Sequence, residues 1–185
     1  MKLEDGKGKN GDMSVSATQR GNVSAKIAPR IFYSARDDGL AYSAIYDDIT
    51  ATAGDYVAYI KNTSSTRNMY IGDISLGGVE AVKWKMFFCT GTAAAGEAVT
   101  ATPMNNSKAI PAEAACMAGD TAITGLTVTS QFSNHRSSAL ATQEEHFDGS
   151  LILGPGDAVV IEYDAGTAGV CEVDIHFHYE TIGAT

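Results

Sequence analysis

Near the end of the sequence, in His176-Phe177-His178-Tyr179-Glu180, two imidazoles and a carboxylate stand at alternate positions. Alternate residues of an extended strand share a face. His176, His178 and Glu180 therefore project to one side, at a spacing able to bind a transition metal. Other acidic groups have the right atoms for a different ion. Asp37-Asp38-Gly39 and Asp47-Asp48 could offer oxygen ligands to calcium, and Glu144-Glu145-His146 sets two carboxylates beside an imidazole.

The surrounding residues weigh against each of these chemistries. The cupin metal site also uses a histidine pair, but with a glycine before it, a glutamate several residues on and a further histidine in a later strand. Here Ile175 precedes the pair and no histidine follows it. The expected setting is the outward face of a strand that meets solvent or another subunit. Neither aspartate pair has EF-hand spacing, and paired Asp next to Gly is ordinary turn chemistry. Residues 144–146 are expected in a solvated loop. No Gly-x-Ser-x-Gly elbow is present, and Cys89 and Cys171 fall on apolar strands as small core residues. The glycine runs 77–78 and 91–96 lack the Lys-Ser/Thr of a phosphate loop. The expectation is a non-enzymatic protein with no catalytic residue, cofactor or resident metal.

The elements that would position these residues are strands. Tyr42, Ala44 and Tyr46 share a face, with Asp47-Asp48 ending the run. Residues 56–60 are apolar on both faces, as in an interior strand. A polar turn at 62–66 precedes a strand over 69–76, and Gly77-Gly78 breaks the chain before 80–88. There Val82, Trp84, Met86 and Phe88 face one way and Lys83 and Lys85 the other. Trp84 reads most simply as core, with a subunit contact as the alternative. The tyrosines of the first half (Tyr33, Tyr42, Tyr46, Tyr56, Tyr59, Tyr70) divide between core and interface. Residues 91–125 are rich in Gly, Ala and Thr, and suit a long connection between sheets; 112–117 could form one helical turn after Pro111. Leu126, Val128 and Phe132 then share a face, with Thr127, Thr129 and Gln131 outward. Residues 134–146 read as a polar loop with a helical turn near Leu140. A hairpin follows, 151–153 and 158–163 around Gly154-Pro155-Gly156-Asp157. The last strand, 170–179, points Cys171, Val173, Ile175, Phe177 and Tyr179 inward.

That makes about eight strands at roughly ten-residue spacing, without sustained helical period or internal repeat. The fold expected is all-β: an antiparallel β-sandwich, jelly-roll-like, over residues 37–185. A flexible, partly extended N-terminal arm over residues 1–36 is expected to order against a partner.

Composition agrees. With 185 residues, 44% of them apolar, the chain can bury one core without disulfides. Cys89, Cys116 and Cys171 are odd in number and read as reduced thiols of a protein made in a cytoplasm. A net charge of -9 repels phosphate backbones, which argues against nucleic acid as a partner. No apolar run is long enough for a transmembrane helix, and the first residues contain no secretory h-region.

Several stretches resemble the small acidic β-sandwich proteins of tailed-phage particles, over about residues 40–180. They are the polar N-terminus, the strand YVAYIKNTSSTRNMYIGDISL, the turn Thr102-Pro103-Met104-Asn105, the hairpin DGSLILGPGDAVVIEY and the alternating closing strand. The resemblance implies a virion component made in the host cytoplasm. Within that group it points to a head decoration (cement) protein that clamps neighbouring major capsid subunits, as a symmetric homo-oligomer, commonly a trimer. The rival reading is a receptor- or glycan-binding tip or adaptor domain of a phage fibre or tail.

Overall fold

The computed structural model describes residues 2–4, 10–12, 34–119 and 123–182, with backbone alone for the first two segments and for Arg36, Asp37 and Asp148. Most of the expected N-terminal arm, Tyr33 included, lies outside the described residues. Within it, β1 (Lys2–Glu4) pairs antiparallel with β2 (Asn10–Asp12). A single π-turn, Ser34–Asp38, leads into β3 (Ala41–Ala51), β4 (Asp55–Asn62), β5 (Arg67–Gly78) and β6 (Val82–Ala94). Short strands β7 (Glu97–Val99), β8 (Thr102–Pro103) and β9 (Ala114–Ala118) follow. The long strands β10 (Thr124–Ser137), β11 (Gln143–Leu153), β12 (Ala158–Ala165) and β13 (Gly169–Thr181) complete the order.

Two antiparallel sheets pack face to face. One runs β10-β6-β12-β4-β9-β7 and the other β11-β5-β13-β3-β8. The main pairs are nested: β3 with β13, β4 with β12, β5 with β11 and β6 with β10. First pairs with last and second with penultimate, which is a hairpin rolled into two sheets, a jelly roll. The eight strands expected from alternation are these eight. The additional strands β7, β8 and β9 form an insertion between β6 and β10 that widens both sheets at one edge.

The core lies between the inward faces. Tyr42, Ala44 and Tyr46 of β3 meet Val82, Trp84 and Met86 of β6, Ile161 and Tyr163 of β12, and Val173, Ile175 and Phe177 of β13, all buried. Trp84 is core, as its alternation predicts. Its ring stands edge-on to Tyr163 at 5.7 Å, and its Nε1 donates to Ser137 Oγ at 3.0 Å. The indole N–H thus keeps a partner in the dry interior, where an unpaired donor would be costly.

Four local readings are corrected. Asp47-Asp48 do not end β3: the strand passes through a bulge with Asp48 at φ 52° and continues to Ala51. Residues 114–118 are strand β9, paired with β4, not a helical turn. The expected loop at 134–146 shrinks to 138–142, because β10 runs to Ser137 and β11 starts at Gln143; Leu140 sits at φ 60°, outside any helix. Finally, Leu126 and Val128 do not share a face with Phe132. The register shift at Val128/Ser130 turns the strand over, so Phe132 packs into the core while the other two face outward, and a second shift at Gln131/Ser133 restores the parity beyond it. Each bulge adds a residue and inverts the parity on which a period-two reading depends.

Two turns at one end are locked by a single side chain. Asn62 is 0% exposed; its Nδ2 donates to Arg67 O and Leu153 O, both at 2.9 Å, and its Oδ1 accepts from Ser64 N at 3.0 Å. It ties the β4–β5 turn to the β11–β12 hairpin, 91 residues away in sequence. Gly119, where the chain leaves β9, admits no side chain: a Cβ there would lie 2.0 Å from Tyr56 O.

Candidate functional site

The last strand holds the histidines as its alternation requires. The core takes Cys171, Val173, Ile175, Phe177 and Tyr179, and the outer face of the five-stranded sheet takes Glu172, Asp174, His176, His178 and Glu180. The two imidazoles nevertheless have different surroundings. Cross-strand register aligns His146, Asp73, His176 and Ser43 in one row. Asp73 stands between the rings, 2.7 Å from His146 Nδ1 and 3.8 Å from His176 Nδ1, and Glu144 lies 3.4 Å from His146 Nε2. His178 is only 3% exposed, stacked on Tyr70 at 5.3 Å, with Nε2 3.3 Å from Glu180. Among the described residues no three His, Cys, Asp or Glu side chains are placed to hold one metal ion. The outward placement expected of His176 and His178 is therefore found, with His178 covered rather than open.

Residues 144–146 lie on β11, not in a loop, and strand parity divides them. Glu144 and His146 face outward; Glu145 turns in and meets His135 of β10. Ser133 Oγ lies 2.6 Å from His135 Nε2, the nitrogen that Glu145 also contacts. A serine–histidine–acid relay needs serine and acid on opposite ring nitrogens. Here both crowd one nitrogen, so the trio closes the seam between the edge strands β10 and β11. Phe132 beside Phe88 (4.7 Å) and Phe147 (6.2 Å) reinforces that seam. No spacing in the sequence announces this cluster, because its members come from two strands in different sheets.

The outer face of the six-stranded sheet is divided in two. One cross-strand row reads Gln131, Phe87, Val160, Tyr59, Met117, Ala98, and the next reads Val128, Cys89, Ala158, Lys61, Ala115. Tyr59, Cys89 and Val160 are buried there in a second, smaller apolar cluster. Burial pushes the Cys89 and Cys116 thiols up to about 11 and the Tyr59 phenol up to about 12. A thiol so raised stays protonated and is no nucleophile at neutral pH. The charged half holds Lys85, 2.6 Å from Glu162 and 2.9 Å from Asp164. These bonds raise Lys85 above its usual value and hold Asp164 low, with Lys83 and Arg136 adding to the latter.

One end of the sandwich collects the β3–β4, β5–β6, β10–β11 and β12–β13 loops. A groove of about 220 Å³ opens there on the five-stranded side, lined by Asp47, Asp48, Glu172, Val79, Leu140 and Val170 among others. Glu172 lies across Gly77, where a Cβ would be 2.6 Å from its Oε1. A second groove, about 350 Å³, opens on the six-stranded side between Lys83, Arg136 and Asp164. Of the calcium candidates, Asp47 and Asp48 line the first groove, Asp38 is exposed elsewhere, and the Asp37 side chain lies outside the described residues. A scan against protein-family models finds no match, and no curated protein matches the chain.

Proposed function

We propose that this chain is a non-enzymatic structural protein of a phage particle, a decoration (cement) protein that binds the outer surface of the head. It would stabilise contacts between major capsid subunits as a symmetric homo-oligomer, a trimer in the simplest case. The observation that carries the homo-oligomer in this reading is the gathering of exposed apolar side chains at the loop end, where Leu140 is 83% exposed, Val79 44% and Val170 40%. Exposed apolar groups clustered on a rigid scaffold favour adhesion to another protein surface. The jelly roll supplies that scaffold, and the resemblance of residues 40–180 to phage β-sandwich proteins supplies the partner. A fold alone assigns no role.

The test is co-sedimentation of the purified protein with empty shells of the major capsid protein encoded in the same genome. Saturable binding at a fixed ratio to capsid subunits, with a higher shell disruption temperature, is the expected result. No binding at saturating protein, or binding to isolated fibres or glycans instead, overturns the reading.

A further inference from the structure

The loop end has oppositely charged flanks. On the five-stranded side Asp47, Asp48 and Glu172 rim the groove that holds Val79 and Val170. On the six-stranded side Lys83, Arg136 and Asp164 rim the other, and Lys85 is engaged by Glu162 and Asp164, so three cations face two carboxylates there and the side is basic by one charge. A basic flank stands out on a chain whose net charge is -9. Leu140 lines the first groove and is held at φ 60° by hydrogen bonds from its own N–H to Gly78 O (2.9 Å) and from Ala141 N–H to Ser138 O (3.2 Å). A leucine both left-handed and exposed is costly on its own and is expected where a contact compensates.

We propose that this end is the contact between copies of the chain, which associate front to back into a closed ring. The acidic flank of one copy meets the basic flank of the next, and Leu140, Val79 and Val170 are buried near the axis. Complementary flanks on opposite faces of one end make a heterologous contact, which closes into a ring when its rotation permits. The charges select the partner and orient it, and the apolar tips are removed from water. This deepens the homo-oligomer part of the proposed function and rests on that part alone.

Sedimentation velocity on the full chain tests it. The wild-type protein is expected to form a discrete ring. Leu140→Asn, a residue that tolerates a left-handed backbone better than leucine, is expected to fold at least as stably while weakening association by at least about tenfold. The pairs K83E/R136E and D47K/E172K are each expected to be monomeric, and one chain carrying all four substitutions is expected to reassociate. Circular dichroism melts of every variant separate failed folding from failed assembly. A wild type that stays monomeric overturns the proposal, as does a ring that Leu140→Asn and both charge pairs leave intact. Capsid co-sedimentation reads the other hypothesis separately: a monomer that still binds shells sinks only the ring, and a ring that ignores shells sinks only the decoration role.

Discussion

Replacing Asn62 tests whether one buried amide holds the two turns at its end of the sandwich. Asn62→Leu keeps the number and branching of the side-chain heavy atoms, so no large cavity forms, but it removes all three hydrogen bonds. A bond within reach of water is worth about 1 kcal/mol net, and a partner left buried and unpaired costs about 1–3 kcal/mol. Leu153 O and Ser64 N are partners in buried contacts, whereas Arg67 O belongs to a half-buried contact within reach of water. The expected loss is therefore about 3–7 kcal/mol. With a urea m-value of about 2 kcal/mol/M, the unfolding midpoint should fall by roughly 1.5–3.5 M with little change in slope. Asn62→Asp keeps the shape and the acceptor for Ser64 N, but turns a second oxygen toward two carbonyls. The carboxylate is dry and faces acceptors, so its folded pKa rises above the unfolded value near 4. A raised carboxylate penalises folding at neutral pH, and the penalty shrinks as pH falls toward the unfolded value. The deficit of N62D relative to wild type should thus be largest at pH 7 and smaller at pH 4. A deficit independent of pH, or an N62L loss under about 1 kcal/mol, would refute the clamp.

Three further outcomes are expected. Burial first, then the charge of Asp47, raises Asp174, while His176 lowers it; Asp174→Asn should raise the melting temperature at pH 7, and the gain should fade toward pH 4, where the wild-type carboxyl takes up its proton. Equal melting shifts at both pH values would show that Asp174 bears no such penalty. Ser137→Ala strands the Trp84 N–H and should cost about 1–2 kcal/mol in chemical denaturation; an unchanged midpoint would mean the bond to Ser137 Oγ contributes nothing. The Tyr163 hydroxyl is buried without a hydrogen-bond partner among the described residues, so Tyr163→Phe should be neutral or stabilising by up to about 1 kcal/mol, and a clear loss of stability would contradict that.

The eight main strands and most of their inward residues were legible in the chain because side-chain alternation is local. Tyr42, Trp84 and Phe177 announce their face through their immediate neighbours. Strand β9 was not legible: Ala-Ala-Cys-Met-Ala has no contrast between its faces, and only pairing with β4 makes it extended. The turned-over face of Phe132 was hidden for a related reason, since a bulge is set by the partner strand. The outward side of His176 and His178 was readable, but not the stacking of His178 on Tyr70, which depends on β5 lying beside β13. The meeting of Ser133, His135 and Glu145, the clamp of Asn62 and the opposed flanks at the loop end join residues far apart in sequence. Local composition decides which residues can be strand and which side they prefer to bury. Which strands become neighbours is decided by closing the two sheets over one core, a long-range condition that no short window of residues contains.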